Sequence, residues 1–233
     1  MRPSILRAAF AGRTLPFLRP VRGCLLLCAA ACVLLPSPAS AAADASAGSG
    51  EAALGLAEKA REGLARTRSA EARFRQTSTF DFLDVPLTSS GRFCFSLENR
   101  KEPYVFWEYR EPQRSGFALE NDRAALWSGQ DARAPSAAEK RMLDGMTAQI
   151  LQWIAFDTES LRRQYEIRTG SSDLALLFVP RGESRLFSSI ELVFVPDFSA
   201  IAELRFSGTD GGRTVIAFDI ERRNERLSGD CRR

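Results

Sequence analysis

The chain between residues 72 and 112 alternates between apolar and polar positions with a period of two. The first segment places Ala72, Phe74, Gln76, Ser78, Phe80 and Phe82 on one face. The second places Phe93, Phe95 and Leu97 on one face and Arg92, Cys94 and Ser96 on the other. The third, Tyr104 to Tyr109, is mostly aromatic. This alternation is typical of strands with one buried face, so we predict consecutive antiparallel strands here.

Two short strands are predicted next, at residues 116–120 and 124–128, followed by a loop at 129–135. Ser136 and Glu139 form a capping box, which predicts that a helix begins there and extends to about residue 156. The apolar positions of this helix recur every three or four residues, at Met142, Leu143, Met146, Ile150, Leu151, Trp153 and Ile154. The pattern fits a movable lid over an apolar site and fits a core helix that covers the sheet equally well.

The last third of the chain returns to strands, predicted at 164–168, 174–180, 186–196, 201–207 and 213–221. Asp210-Gly211-Gly212 is a strong hairpin turn between the last two. A first helix is predicted at 51–67, with a thin apolar stripe at Leu54, Ala57, Arg61, Leu64 and Ala65. About ten strands and two helices without a βαβ rhythm indicate a mostly β, α+β fold. We expect a large curled antiparallel sheet, an unclosed β-barrel, with helices lidding its concave face.

The N-terminal region has the pattern of a secretory signal peptide. Five arginines precede an apolar run at 24–35, and small residues follow it. We predict a signal peptide at 1–41 with cleavage after Ala41 or Ala43, a linker at 42–50, a domain at 51–227 and a tail at 228–233. A permanent anchor and a lipidated Cys32 are the alternatives. Cleavage would change the net charge from +3 to about −2, which leaves no basic patch for nucleic acid.

The mature chain would retain two cysteines, Cys94 and Cys231. Export to an oxidising compartment makes a disulfide between them reasonable. An unpaired Cys231 on a frayed tail is the alternative, because a sequence does not give the distance that a disulfide requires.

A catalytic set is not apparent in the sequence. The chain has no histidine, which excludes Ser-His-Asp and Cys-His catalysis, and two cysteines do not make a zinc site. We therefore expect no enzyme activity, no cofactor and no metal. Glu108, between Trp107 and Tyr109, is the one carboxylate worth locating. Fourteen Phe and three Trp would remain after cleavage, which suits either a large core or a cavity for an apolar ligand.

The order of several short motifs resembles the outer-membrane lipoprotein carrier family (LolA-like). They are Phe74-x-Gln76, Ser90-Gly91-x-Phe93, Pro103-x-x-x-Trp107-x-Tyr109-x-x-Pro112, a strand ending in Trp127, Leu177 to Pro180 and the Asp210 turn. The resemblance covers roughly residues 51–222. It implies a monomeric periplasmic carrier that holds the acyl chains of lipoproteins between an inner-membrane lipoprotein-releasing transporter and an outer-membrane receptor.

Carried over by position, the resemblance implies a set of lipid-binding residues. They are Phe93, Phe95, Trp107, Trp127, Met142, Met146, Ile150 and Trp153. The family often has a basic residue before the proline of the third strand, where this chain has Glu102, so Arg100 and Lys101 become the lid-closing candidates. This departure keeps two alternatives open: an envelope-stress sensor or regulatory lipid-binding domain on the same fold, or a carrier for a glycolipid or polyketide-lipid export system.

Overall fold

The structure is a computed structural model, and it describes residues 47–98, 103–120, 123–182, 184 and 187–231. Within these residues, eleven strands form one antiparallel sheet. The strands are β1 (Ser69–Thr79), β2 (Leu87–Ser96), β3 (Tyr104–Glu111), β4 (Ser115–Glu120), β5 (Arg123–Ser128), β6 (Asp131–Arg133), β7 (Tyr165–Thr169), β8 (Ala175–Pro180), β9 (Phe187–Phe194), β10 (Ile201–Gly208) and β11 (Arg213–Arg223). Their order is β6-β5-β4-β3-β2-β1-β11-β10-β9-β8-β7, so the sheet is unclosed, with β6 and β7 at its edges. The predicted fold class is therefore confirmed.

Three α-helices lie within the described residues: α1 (Ala47–Leu64), α2 (Ala137–Ala155) and α3 (Thr158–Gln164). The strands β7 to β11 and the first five strands agree with the predicted segments to within a few residues. The structure adds β6 and α3, which the sequence did not predict. Both elements are short, at three and seven residues, and β6 is exposed throughout, so neither has the apolar periodicity that prediction requires.

Helix α1 packs on the β7–β8 end of the sheet through small side chains. It begins four residues earlier than predicted, within the segment predicted as a linker, and its buried residues are Ala53, Ala57, Ala60 and Leu64. The buried face of α1 differs from the predicted apolar stripe, because Leu54, a member of that stripe, is 42% exposed. The backbone of α1 at Gly63 lies very close to the backbone of Phe198. A Cβ at this position would lie 2.3 Å from the Phe198 carbonyl oxygen, so glycine is required there. Residues 1–41, predicted as a signal peptide, and residues 42–46 lie outside the described residues.

Helix α2 starts as the sequence predicts. The Ser136 side chain accepts a hydrogen bond from the Glu139 backbone, and the Glu139 carboxylate accepts one from the Ser136 backbone. Arg133 of β6 donates to both Glu139 oxygens, at 2.8 and 2.6 Å, and this interaction lowers the pKa of Glu139 well below its usual value. The helix ends at Phe156, which is fully buried and adopts a left-handed conformation with φ 46°.

The sheet has an inner face that carries the helices and an outer face that the C-terminal tail partly covers. Because side chains alternate along β3, Trp107 lies on the inner face and Phe106 on the outer one. Cys94 and Cys231 form a disulfide, which answers the open question about their pairing. Around the disulfide, Phe106, Trp127 and Leu227 make a small outer core. No described helix is both long and apolar enough to cross a membrane.

Candidate lipid-binding cavity

An apolar cavity of about 110 Å³ lies between the inner face of the sheet and the C-terminal half of α2. Its lining residues are Leu64, Thr67, Ala70, Ala72, Phe93, Phe95, Trp107, Ile150, Trp153, Ile154, Leu192, Ser199, Ala200, Ile201, Leu204, Phe218 and Ile220. The central strands β1, β2, β10 and β11 supply most of the sheet side. The space exists because two adjacent inward positions of β1, Ala70 and Ala72, carry only a methyl group.

The cavity wall presents hydrocarbon almost without interruption. Thr67 and Ser199 are the two hydroxyl-bearing residues among those that line it, and the Trp107 indole N–H is a buried donor without a hydrogen-bond partner among the described residues. The Thr67 hydroxyl donates to the Ser199 carbonyl oxygen at 2.7 Å, and the Ser199 hydroxyl donates to the Asp197 carboxylate at 2.5 Å. Both hydroxyl donors are therefore already used. A water molecule needs two or more polar partners to stay in such a space, so the wall favours a dry site that accepts an apolar ligand.

Aromatic rings close one side of the cavity. The Phe93 and Trp107 ring centroids are 5.1 Å apart, and Phe218 lies 5.9 Å from Phe93 and 6.3 Å from Trp107. Phe74 packs behind Trp107 at 4.9 Å. Rings at these separations attract each other beyond the burial of their area, so this wall is well packed.

Five of the eight lipid-binding residues predicted from the resemblance line the cavity: Phe93, Phe95, Trp107, Ile150 and Trp153. The other three do not line it. Met142 and Met146 lie on the N-terminal half of α2 and pack on strands β3 to β5, away from the cavity. They belong to the lid without contacting the cavity space.

Trp127 does not line the cavity, because its side chain lies on the outer face. Its ring packs 5.3 Å from Phe106, beside the Cys94–Cys231 disulfide. The neighbouring Leu126 faces inward, and the alternation of β5 therefore sends Trp127 outward. Arg100 and Lys101, the lid-closing candidates, and Glu102 lie outside the described residues.

Glu108 is a buried structural carboxylate. It is 1% exposed and shares the outer face with Phe106. Arg114 and Arg110 donate to its two oxygens at 2.8 and 3.0 Å. Two positive partners neutralise the charge, and the sheet separates it from the cavity. Among the described residues, no group of three or more His, Cys, Asp or Glu side chains could hold a metal ion.

The residues that sequence reasoning missed are mostly small or lie outside strands. Thr67, Ser199 and Ala200 come from the segments that precede β1 and β10, where no periodicity marks an inward direction. Ala70 and Ala72 contribute by being small, and an alanine in a strand pattern does not signal a cavity. The aromatic residues of the sequence indicate an apolar wall, but they do not indicate where an empty space lies beside it.

Solved structures of similar fold come from several bacterial envelope proteins. No family model and no curated protein matches the chain. LppX, a Mycobacterium tuberculosis lipoprotein, is similar with 11% identity and a TM-score of 0.44, over 76% of this chain and 98% of that one. A LolA superfamily protein from Nitrosomonas europaea has 12% identity and a TM-score of 0.33, over 76% and 94%.

A chain in the complex of Pseudomonas aeruginosa MucA and MucB is also similar, with 12% identity and a TM-score of 0.45. The match covers 78% of this chain but only 62% of that one, so the present chain spans about three fifths of its length. At these identities the likeness concerns the fold alone, and the cavity carries the functional conclusion.

Proposed function

We propose that this protein binds the acyl chains of lipoproteins, or of related lipids, in the cavity beneath α2. The apolar wall carries this proposal, because both of its hydroxyl donors are already used by protein oxygens. Exposing a hydrocarbon chain to water costs about 0.8 kcal/mol per CH₂ group. A protein that carries such a chain through water must supply an apolar surface, and this cavity does so.

The observed cavity is smaller than its proposed ligand requires. Ligand sites typically measure roughly 300–1,000 Å³, whereas this one measures about 110 Å³. Loading therefore requires movement of an element that covers the cavity. Helix α2 is the candidate, because its residues Ile150, Trp153 and Ile154 form the helical side of the wall and its exposed face is free of the sheet.

We further propose that the protein acts in the periplasm as a monomeric, non-enzymatic carrier. An inner-membrane lipoprotein-releasing transporter would load the acyl chains and an outer-membrane receptor would receive them. The cavity supports the binding step of this scheme. Glu108, the carboxylate singled out in the sequence, lies on the outer face and is not part of the cavity.

Native mass spectrometry of the mature protein with a synthetic diacylated lipopeptide tests the proposal. We expect a one-to-one complex with the diacylated peptide and none with the same peptide lacking acyl chains, because the cavity wall is almost entirely apolar. Equal binding of the two peptides, or binding of neither, would contradict it.

A further inference from the structure

Three exposed arginines stand at one rim of the cavity, and the lipid site described above does not use them. Arg66 and Arg68 flank Thr67, which lines the cavity. Arg223 lies directly opposite Ala70 in the β1–β11 pair. Because opposite residues of an antiparallel pair share a face, Arg223 is on the inner face beside the cavity. Sequence neighbours and strand register thus place the backbone positions of three arginines at the same rim.

Two of these cations converge on one carboxylate-bearing residue. Arg66 Nη2 donates to the Asp197 carbonyl oxygen at 2.8 Å, and Arg223 Nη1 lies 3.4 Å from Asp197 Oδ2. The other carboxylate oxygen accepts from the Ser199 hydroxyl and backbone, and these bonds, the hydroxyl's first, lower the pKa of Asp197. Only Arg223 is therefore paired with the carboxylate charge, whereas Arg66 binds a neutral carbonyl oxygen, and most donors of both guanidinium groups remain available.

The backbone that carries these arginines is held in place by Asn224. Its backbone N–H donates to the Ser69 carbonyl oxygen at 2.9 Å, and its side-chain amide donates to the Arg66 carbonyl oxygen at 2.9 Å. Its side-chain oxygen accepts from the Arg68 backbone at 2.7 Å. Asn224 has φ 56°, a conformation that asparagine adopts more readily than most residues. These three hydrogen bonds fix the backbone around Arg66, Arg68 and Arg223 relative to one another.

Nearby charges leave the rim positive. Arg226 is exposed just after the rim, and Glu225 is the carboxylate beside it. Arg222 lies opposite Glu71 and therefore faces outward, away from the rim. No described carboxylate forms an ion pair with Arg66, Arg68, Arg222 or Arg226. A positive rim beside an apolar cavity matches an amphiphile with an anionic head and hydrocarbon chains.

We propose that this rim, which we call the arginine rim (Arg66, Arg68 and Arg223), binds the phosphate of an anionic lipid whose acyl chains occupy the cavity. The inference rests on the proposed function and adds a head-group class to it. Guanidinium groups bind phosphate through two parallel hydrogen bonds. The distance between rim and cavity is short, since Thr67 lies between two of the arginines and itself lines the wall. One ligand can therefore contact both regions.

The test compares dihexanoyl phosphatidic acid with dihexanoylglycerol, which has the same chains and no phosphate, by isothermal titration of the mature protein. We expect phosphatidic acid to bind at least about tenfold more tightly, equivalent to about 1.4 kcal/mol. The double variant Arg66→Gln/Arg223→Gln should lose this advantage and keep its affinity for dihexanoylglycerol within about twofold. The advantage should also shrink as salt is raised, because exposed charges are screened.

Arg75→Gln is the matched control, since Arg75 is exposed on β1 and faces outward; it should retain the full advantage. Glycerol 3-phosphate alone should not bind measurably. Equal affinity of wild type for both lipids, an unchanged preference in the double variant, or equally tight binding of glycerol 3-phosphate would overturn the arginine rim. If dihexanoylglycerol binds as tightly as phosphatidic acid, the arginine rim is contradicted and the lipid-binding cavity is still supported. If neither lipid binds, both the arginine rim and the lipid-binding cavity are contradicted.

Discussion

At the scale of single residues, the cavity depends on what is small as much as on what is aromatic. Phe93, Trp107 and Phe218 form a packed wall, and the space beside them opens over Ala70 and Ala72. Core sites in proteins are normally filled to crystal density, so two alanines facing inward from the central strand leave an uncommon gap. The gap is the feature that a larger side chain should abolish.

We predict that Ala72→Leu prevents binding of the diacylated lipopeptide. Ala72 is 1% exposed and lines the cavity, so the added carbons would occupy the ligand's place. Thermal unfolding should be unchanged or slightly raised, because the new side chain gains contacts in an existing space. The midpoint temperature and the lipopeptide affinity are measured on the same preparation.

The control is Ala217→Leu, which makes the same change on the outer face of β11, where Ala217 pairs with Arg75. It should bind the lipopeptide as the wild type does. Normal binding by Ala72→Leu would show that the acyl chains lie elsewhere.

At the scale of elements, α2 is tied at both ends and carries the cavity wall near its C-terminus. Arg133 and Ser136 hold its first turn through Glu139, and Phe156 anchors its end against Phe178 and Phe194 at 6.1 and 5.8 Å. The middle of the helix is buried mainly through apolar side chains, Leu143 and Met146 among them, and the hydroxyl of its one buried polar residue, Thr147, has no hydrogen-bond partner among the described residues. An element held by apolar contacts can leave the sheet when a lipid replaces them.

We predict that a thiol placed at Met146 becomes more reactive when lipid is bound. Met146 is 3% exposed and packs between α2 and the sheet, so Met146→Cys should label slowly in the empty protein and faster with the diacylated lipopeptide. The rate of maleimide labelling is measured by mass spectrometry. Leu176→Cys, in the buried core of β8, should stay protected in both states. Equal labelling of Met146→Cys with and without lipid would indicate that α2 is a fixed core helix.

The C-terminal tail is a second element with a defined role, and that role is structural. Glu71 is 2% exposed and accepts from the Ser228 hydroxyl at 2.8 Å, while Arg92 lies between Glu71 and Glu221 at 3.3 and 2.9 Å. The disulfide joins the tail to β2 across 137 residues. All of these contacts are on the outer face, so the tail stabilises the sheet without entering the cavity.

We predict that Cys94→Ala/Cys231→Ala lowers the free energy of unfolding by roughly 3 to 5 kcal/mol, because the disulfide closes a long loop. Urea unfolding of the wild type with and without a reducing agent, beside the variant, measures the effect. Lipopeptide affinity should change by less than about twofold. A large loss of affinity in a variant that is still folded would contradict the structural role.

At the scale of the whole molecule, the sequence was sufficient to predict the antiparallel sheet. It was not sufficient to predict which aromatic side chains line the cavity. Alternation is local, so it placed Phe93 and Phe95 together and Cys94 opposite them, as the structure has them. The capping box at Ser136 likewise fixed where α2 begins. These features depend on residues close together in the chain, which a sequence displays directly.

What the sequence did not predict depends on distant partners. Alternation along β5 puts Trp127 on the face opposite Leu126, but the burial of that outer face by the tail and Cys231, about a hundred residues later, is not visible in the local pattern. Met146 packs away from the cavity because α2 crosses the sheet over strands β3 to β5. The arginine rim forms only when the segments at residues 66, 197 and 223 come together. Tertiary packing decides each of these positions, and periodicity alone does not contain it.

The most direct test of the central claim is photo-crosslinking with a lipopeptide that carries a diazirine at the end of one acyl chain. We expect the crosslinked peptides, mapped by mass spectrometry, to contain β2 and the C-terminal half of α2, around Phe93, Ile150 and Trp153. The exposed apolar residues of the β1–β2 loop, among them Phe82 at 78% and Val85 at 71%, are the competing surface. Crosslinks confined to that loop would contradict an acyl-binding cavity beneath α2.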